Sequence, residues 1–238
     1  YRNRPGFATV AEAMAGFAGL NGEAGRPPLL PPIALTDELT AVVAAFATMV
    51  ALHSGVGQVV DVSLVESLLQ MMGPLVSAYG ALGYLMPRMG SRLPYTVPRS
   101  CYECADGRWV AVSTTADAVA RRVMVLIGVG DDERFATFDG RTANADELDG
   151  LMAAWMAQRS AVDAVAAFEQ AEAAAAIVYD MADIYADEHL RSRDAVVEVG
   201  GLPQQGLVAK LSATPGRVRW SGRTLGADHV INVTREDS

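Results

Sequence analysis

A loop rich in helix-breaking residues divides this sequence into two halves of different pattern. The loop, MPRMGSRLPYTVPR at positions 86–99, contains three prolines and one glycine. Prolines and glycines end regular structure, so we interpret the loop as a domain boundary. Before it, apolar residues recur at helical spacing; after it, short strand patterns alternate with helical ones. The chain is therefore predicted to be α/β, with a largely helical first half.

The first half is predicted to contain two amphipathic helices joined by a proline-rich connector. The first helix has Val10, Met14 and Phe17 on one face. The connector, RPPLLPPIAL, leads into a second helix that ends at Gly55. Apolar residues recur in the second helix at the spacing of one helical face: Leu39, Val42, Val43, Phe46 and Val50. We expect this face to be packed.

A short strand, QVVDVSL, and a long apolar helix from Leu64 to about Tyr84 complete the predicted first half. In the second half, CYEC and RWVAVS flank an Ala-Asp-Gly turn and predict a β-hairpin. Ser160 opens a helix, and Asp163 follows at the spacing of a capping box. Further helices are predicted near 116–127 and 146–158, and further strands near 177–179 and 195–200.

The two cysteines, Cys101 and Cys104, form a C-x-x-C pair within the predicted hairpin. A redox pair of this spacing belongs at the start of a helix, and a zinc site would need two further ligands. Residues three apart on a strand point to opposite faces. We therefore interpret both cysteines as structural thiols.

Composition and motif content narrow the classes of partner and chemistry. Acidic residues outnumber basic ones by 28 to 19, and no basic block occurs, so nucleic acid is not an expected partner. No uninterrupted apolar run reaches the ~18–20 residues of a membrane span, and no signal peptide pattern opens the chain, so we expect a cytoplasmic protein without a membrane partner. Only three histidines occur, without metal-site spacing, so no metal is expected. The remaining candidate for catalysis is the chemistry of a carboxylate side chain.

The carboxylate that stands out is Asp37, in the stretch PPIALTDELTA at the start of the second helix. One interpretation is helix capping, since Asp accepts backbone N–H bonds there and is favoured by the helix dipole. The other is a nucleophile, because the same environment keeps a carboxylate ionised. The stretch alone does not decide between them.

The order of motifs along the chain resembles that of the class III coenzyme A-transferases. The matching segments are RNRPGF, AEAMAGFAGLNGE, PPIALTDELTA, AALHSGVGQVVDVSLVESLLQMMG and PRMGSRLPYTVPRSCYECADGRWVAV. This family includes formyl-CoA transferase, carnitine CoA-transferase and α-methylacyl-CoA racemase. The carnitine CoA-transferase branch is most similar, from Pro87, Arg88 and Met89 and from YECADG.

The resemblance implies a two-domain α/β fold and an interlocked dimer. Residues 1–85 would be the helical part of a Rossmann-like large domain, 86–194 the small α/β domain, and 195–238 a segment returning to the large domain. The N-terminal stretch typical of the family has no counterpart in these residues. The resemblance therefore implies a homodimer, or a heterodimer with a subunit that supplies that stretch.

The resemblance also implies an activity and a set of site residues. Asp37 would attack an acyl-CoA thioester to form an anhydride, then an aspartyl-CoA thioester, and a carboxylic acid would collect the CoA. The RPGF motif, Arg4, Pro5, Gly6 and Phe7, would contact coenzyme A, with the Arg4 guanidinium suited to phosphate. Coenzyme A is thus a substrate, and the acyl donor and acceptor are not named by the sequence.

Two alternatives follow from departures within the same motifs. Racemases of the family place a histidine at the position of Phe7, and a phenyl ring cannot exchange a proton, so racemisation is disfavoured. The family usually places glycine shortly after the nucleophile, where this chain has Thr40 and Ala41. A non-catalytic partner subunit of a heteromeric CoA-transferase is therefore the alternative function.

Overall fold

A computed structural model describes residues 3–223 and 225 of the chain. The chain forms two compact units, Tyr1–Ile177 and Val178–Ser238. The mixture of helices and strands agrees with the predicted α/β class. The division into segments 1–85, 86–194 and 195–238 that the family resemblance implies stays a prediction.

The first part of the larger unit is helical. Helix α1 packs against α3 and α4, and α3 packs against α4. The single first helix that was predicted is split in two, because Gly16 adopts a left-handed conformation with φ of 88°. The helices are α1 Ala8–Met14, α2 Phe17–Leu20, α3 Leu35–Ser54, α4 Leu64–Met71 and α5 Leu75–Leu82.

Two elements predicted in this region were wrong. Residues 58–63 form no strand; they are an irregular segment that ends at Ser63, whose side chain caps α4 by accepting the Glu66 N–H. The long helix to Tyr84 is interrupted, because Gly73 has φ of 60° and Pro74 is the N-cap that precedes the next helix. Proline cannot donate the backbone hydrogen bond that a continuous helix needs.

Helix α3 ends at Gly55 in a left-handed cap, as predicted. Its packing was predicted wrongly in part, because Val42 and Phe46 of the apolar face are 67% and 71% exposed. The face turned toward the neighbouring helices carries mostly small side chains instead. Its buried or half-buried residues are Leu35, Thr36, Leu39, Thr40, Val43, Ala44, Ala47 and Ala51.

Helix α3 is long and apolar enough to cross a membrane, by length and composition alone. Asp37 and Glu38 interrupt its apolar sequence, so this helix does not contain the uninterrupted apolar run that the sequence analysis looked for. One such helix is weak evidence for a membrane span, because other kinds of apolar helix pass the same test. The cytoplasmic location stays a prediction.

The second part of the larger unit is a small α/β structure around an antiparallel sheet. The strands are β1 Arg99–Glu103, β2 Trp109–Ser113 and β3 Ala175–Ile177, in the order β1-β2-β3. The helices are α6 Asp117–Leu126, α7 Phe138–Ala143, α8 Ala145–Met156 and α9 Ala161–Gln170, with a short 3-10 helix at Glu133–Phe135. Its core is fully buried at Val110, Val123, Phe135, Leu148, Met152 and Phe168.

The predicted hairpin is confirmed as β1 and β2. Cys101 pairs with Ala111, and Gly107 supplies the positive φ of the turn, at 75°. Cys101 and Cys104 are both free thiols, and burial raises the pKa of the Cys104 thiol. A buried thiol with a raised pKa is a poor nucleophile, consistent with a structural role.

The predicted cap of α9 is also confirmed. Ser160 accepts the Asp163 backbone N–H at 3.1 Å, and its hydroxyl donates to the Asp163 carboxylate at 2.6 Å. In a capping box the carboxylate would instead accept the N–H of the capping residue. The carboxylate of Asp106, in the hairpin turn, accepts the backbone N–H of Ala161, the first residue of α9, at 3.0 Å. This hydrogen bond joins the turn to α9.

The smaller unit contains two short helices and a hairpin. The elements are α10 Met181–Ala186, α11 Glu188–Ser192, β4 Val196–Val199 and β5 Leu202–Gln205. Strand β4 lies where a strand was predicted, and it pairs antiparallel with β5, which was not predicted. The strand predicted at 177–179 is displaced, since β3 ends at Ile177.

Candidate active site

Asp37 lies in the first turn of α3, as the third residue of the helix. It is not the N-cap: that position belongs to Ala34, which makes no side-chain cap, so the capping interpretation was wrong. The side chain of Asp37 is exposed. Within residues 3–223 and 225 it makes no hydrogen bond and no ion pair. The carboxylate is therefore available to an external group.

The electrostatics of the first turn favour negative charge at this place. Backbone N–H groups at a helix start are unpaired, and the helix dipole is positive there. Asp37 and its neighbour Glu38 are both acidic residues of this turn. The regular helical pattern begins with Glu38 N–H donating to Ala34 O at 3.0 Å.

Next to the candidate nucleophile lies a buried polar pair that the sequence did not reveal. Thr36 is fully buried and Glu12 of α1 is 3% exposed. The Thr36 hydroxyl lies 3.1 Å from Glu12 Oε1. One turn later, the Thr40 hydroxyl donates to the Thr36 carbonyl at 2.7 Å. The residue before Asp37 is thus held through both its side chain and its carbonyl group.

The predicted coenzyme A segment, Arg4 to Phe7, leads into α1. Phe7 is the extended N-cap of α1, with φ of −140°, and it is 80% exposed. Arg4, Pro5 and Gly6 are exposed as well. Glu12 lies five positions after Phe7, about 7.5 Å along a helix. The segment thus leads into the helix whose Glu12 contacts Thr36, and its role in binding coenzyme A stays a prediction.

The breaker-rich loop connects the helical part to the small α/β part. Arg88 Nη1 donates to the Gly19 carbonyl at 3.2 Å, and Gly90 N–H donates to Gly22 O at 3.0 Å. Further on, Arg92 contacts two carboxylates of helix α8. This loop carried part of the sequence resemblance, and the structure gives it an anchoring role between the two parts of the larger unit.

His53 does not form a catalytic pair with Asp37 in the described part of the larger unit. His53 lies in the last turn of the same helix, 16 residues away, or about 24 Å along the axis. His189 belongs to α11 in the smaller unit, and His229 lies outside the described residues. In the described part of the chain, no cluster of three or more His, Cys, Asp or Glu side chains is placed to hold a metal ion.

Comparison with known proteins places these features in a family. A profile of CoA-transferase family III matches residues 1–229. A succinyl-CoA–D-citramalate CoA-transferase from Chloroflexus aurantiacus is 34% identical over 255 residues, with 100% of this chain and 63% of that protein covered. The beta subunit of a succinyl-CoA–L-malate CoA-transferase from the same organism is 29% identical, over 99% of this chain and 62% of that subunit.

A solved structure agrees with the sequence comparisons. The crystal structure of a CAIB/BAIF family protein from Brucella suis matches with a TM-score of 0.77 at 25% identity, over 90% of this chain and 58% of that one. This chain thus spans less than two thirds of the length of these relatives. The predicted fold, as part of a larger family fold, is confirmed. The chain belongs to CoA-transferase family III.

Proposed function

We propose that the protein containing this chain transfers coenzyme A between an acyl-CoA thioester and a carboxylic acid, with Asp37 as the nucleophile. One observation carries the proposal. In a chain of CoA-transferase family III, Asp37 presents an exposed carboxylate without an internal partner at the positive end of α3, among the described residues. A carboxylate used for capping would instead accept hydrogen bonds from backbone N–H groups.

The proposed reaction needs only carbonyl exchange at one carboxylate. An Asp37 oxygen attacks the thioester carbonyl and the C–S bond breaks, giving a mixed anhydride and CoA thiolate. The thiolate attacks the aspartyl carbonyl, releasing the donor acid and leaving an aspartyl-CoA thioester. The acceptor carboxylate attacks this thioester and expels the thiolate, which then attacks the acceptor carbonyl and restores Asp37. No oxidant and no net proton transfer is required.

The surroundings of Asp37 fit the demands of these steps. Each attack places negative charge on a carbonyl oxygen, and unpaired N–H groups at a helix start stabilise such charge. The flanking bonds of Thr36 hold the backbone at this residue. Arg4 would bind a phosphate of coenzyme A, since a guanidinium donates two parallel hydrogen bonds to phosphate oxygens. Pro5, Gly6 and Phe7 would lie along the same ligand.

The names of the relatives suggest a substrate class. The two Chloroflexus aurantiacus proteins are named for succinyl-CoA as donor and for D-citramalate or L-malate as acceptor. We extend this class, small dicarboxylic acids and their CoA thioesters, to the protein containing this chain. As one relative is a beta subunit, the assembly is proposed to be a homodimer or a heterodimer, interlocked as in the family and located in the cytoplasm.

A trapping experiment tests the nucleophile. The complete protein, assembled with any partner subunit, is incubated with succinyl-CoA and then treated with hydroxylamine or borohydride. We expect a modification in the peptide IALTDELTA that maps to Asp37 by mass spectrometry. Asp37→Asn keeps the shape of the side chain but cannot form the anhydride, so it should abolish both the modification and turnover.

The neighbouring residue provides a matched control. Glu38 lies in the same first turn and is also exposed, so Glu38→Gln removes the same charge from the same helix end. It should retain the modification and most of the turnover. Turnover by Asp37→Asn at a rate close to that of the unmodified protein would refute the nucleophile assignment.

The alternative is a partner subunit without catalysis of its own. One observation favours it: Thr40 and Ala41 occupy positions where the family usually has glycine, and Thr40 is bonded to the Thr36 carbonyl. The trapping experiment separates the two functions. A modification found entirely on another chain would make this chain the non-catalytic subunit.

A further inference from the structure

The buried pair next to Asp37 has a geometry that capping and core packing do not explain. Thr36 is at the second position of α3, where a hydroxyl commonly bonds backbone groups of its own helix. Here it instead lies 3.1 Å from a carboxylate on a different helix, 24 residues away in sequence. Among the described residues, Thr36 is the side chain that donates to Glu12. Burial of a carboxylate is costly, and this one makes a single such contact.

The position of the contact connects it to the candidate nucleophile. Thr36 immediately precedes Asp37, and the Thr40 hydroxyl binds the Thr36 carbonyl, which belongs to the peptide group joining Thr36 to Asp37. The Asp37 side chain has no bond within the described chain that could fix its position. Any orientation of the carboxylate must therefore come from the backbone that carries it.

We infer that Glu12 is a positioning residue, which holds the first turn of α3 through Thr36 and thereby aims the Asp37 carboxylate at the thioester. This inference rests on the proposed role of Asp37. A displacement of about 1 Å in a reacting group can cost about 100-fold in rate. Loss of the contact should lower kcat more than it changes KM, since substrate binding does not depend on the aim of the nucleophile.

The first variants remove the hydrogen bond at either end. Thr36→Val replaces the hydroxyl with a methyl group of similar size and should lower kcat by about 10- to 100-fold. Thr36→Ser keeps the hydroxyl and should restore most of the rate. Glu12→Gln keeps an acceptor oxygen and should also stay active, whereas Glu12→Met should be as slow as Thr36→Val.

Thr114 of the small α/β part provides the matched control for Thr36. It is 2% exposed, and its hydroxyl donates to the Pro98 carbonyl at 2.9 Å. Thr114→Val therefore makes the same substitution and removes another buried hydroxyl hydrogen bond, but away from α3. It should lower stability and keep the full kcat.

The double variant separates positioning from stability. Thr36→Val alone leaves a buried carboxylate without a donor, so its melting temperature should fall. Combining it with Glu12→Met replaces both partners with apolar groups, which can be nearly neutral for stability. We expect the melting temperature to recover while kcat stays low. The double variant should fold even if Thr36→Val does not. It therefore shows in either case whether the contact affects kcat independently of stability.

All rates are measured on the complete protein, per folded active site, with succinyl-CoA as donor and L-malate as acceptor. A double variant that recovers both melting temperature and kcat would overturn the inference, because the pair would then be structural only. Thr36→Val or the double variant with kcat close to that of the unmodified protein would do the same. Asp37→Asn, assayed in parallel, identifies a different failure: if it stays active, the proposed nucleophile is wrong and Glu12 has nothing to position.

Discussion

The Tyr102 hydroxyl donates a 2.6 Å hydrogen bond to Asp149 Oδ1, joining strand β1 to helix α8. The other carboxylate oxygen of Asp149 accepts from Arg92 Nε, also at 2.6 Å. Arg92 belongs to the breaker-rich loop. The Asp149 carboxylate of α8 therefore binds both that loop and strand β1. Burial of Tyr102, and then its bond to Asp149, raise the pKa of the phenol above its ordinary value of 10.0.

The raised pKa of Tyr102 predicts a loss of stability at alkaline pH. The folded protein keeps the phenol proton at a pH where the unfolded chain loses it. This contribution is therefore fully present below pH 10.0 and declines as the pH rises above it, by at most about 1.4 kcal/mol per pH unit. Tyr102→Phe should unfold more easily in urea at pH 8, by about 1.5–3 kcal/mol for a hydrogen bond to a charged group.

The decisive measurement is how the gap between the two proteins depends on pH. Urea unfolding from pH 8 to pH 11 should show the gap narrowing above pH 10, because the phenyl ring of the variant cannot titrate. A gap that stays constant over this range would contradict the assigned cause of the pKa shift.

Arg141 is predicted to be the most sensitive arginine of the small α/β part. It is 1% exposed and donates to the carbonyl groups of Val97 and Phe135 and to the Asp117 carboxylate. Arg141→Met leaves two buried carbonyl groups without their donor, at about 1–3 kcal/mol each, so we expect at least about 2 kcal/mol lower stability.

Arg134 is the matched control for this arginine. Its side chain is half exposed, and it pairs with Asp132 and Glu147 at the surface. Exposed ion pairs contribute about 0–1 kcal/mol, so Arg134→Met should cost much less in the same urea titration. Equal losses for the two variants would show that burial is not what makes Arg141 important.

Two helical glycines should respond in opposite directions to alanine. A Cβ added to Gly140 of α7 would clash with the Arg134 carbonyl oxygen, whereas one added to Gly150 of α8 would meet nothing within 4 Å. Alanine is favoured over glycine in a helix by about 0.5–1 kcal/mol. We therefore expect Gly150→Ala to raise the melting temperature and Gly140→Ala to lower it, measured by differential scanning calorimetry. Similar shifts would argue against the close approach at Gly140.

Asp37→Ala should have little effect on the stability of the folded protein. The side chain makes no bond within the described residues, so its contribution is limited to the helix dipole, about 0.3–1 kcal/mol. Thermal unfolding should show a small shift beside a complete loss of CoA transfer. A large fall in melting temperature would instead indicate that Asp37 supports the fold.

Local chemistry decided which elements could be predicted from the sequence. The hairpin and the Ser160 cap follow from a turn and a hydroxyl that act on their immediate neighbours, and both are confirmed. The strand predicted at 58–64 was wrong because an apolar run alone does not supply a partner strand. Pro74 was overlooked inside an apolar run that it interrupts.

The candidate site also has one part that the sequence could predict and one part that it could not. The sequence indicated that Asp37 starts a helix, and the structure places it in the first turn, although Ala34 rather than Asp37 is the cap. The contact between Glu12 and Thr36 could not be predicted, because it joins residues 24 apart through the packing of two helices. Nothing in the local pattern around Glu12 distinguishes it from a glutamate on a solvated face.

The outward face of α3 should limit the solubility of this chain when it is on its own. The face exposes large apolar side chains over most of the helix, among them Val42, Phe46, Met49 and Leu52. Such a strip attracts other copies of itself, while the net charge of −9 repels them. The repulsion is screened within about 8 Å at physiological ionic strength, but the apolar attraction is not. Solubility of the isolated chain should therefore fall as salt is added.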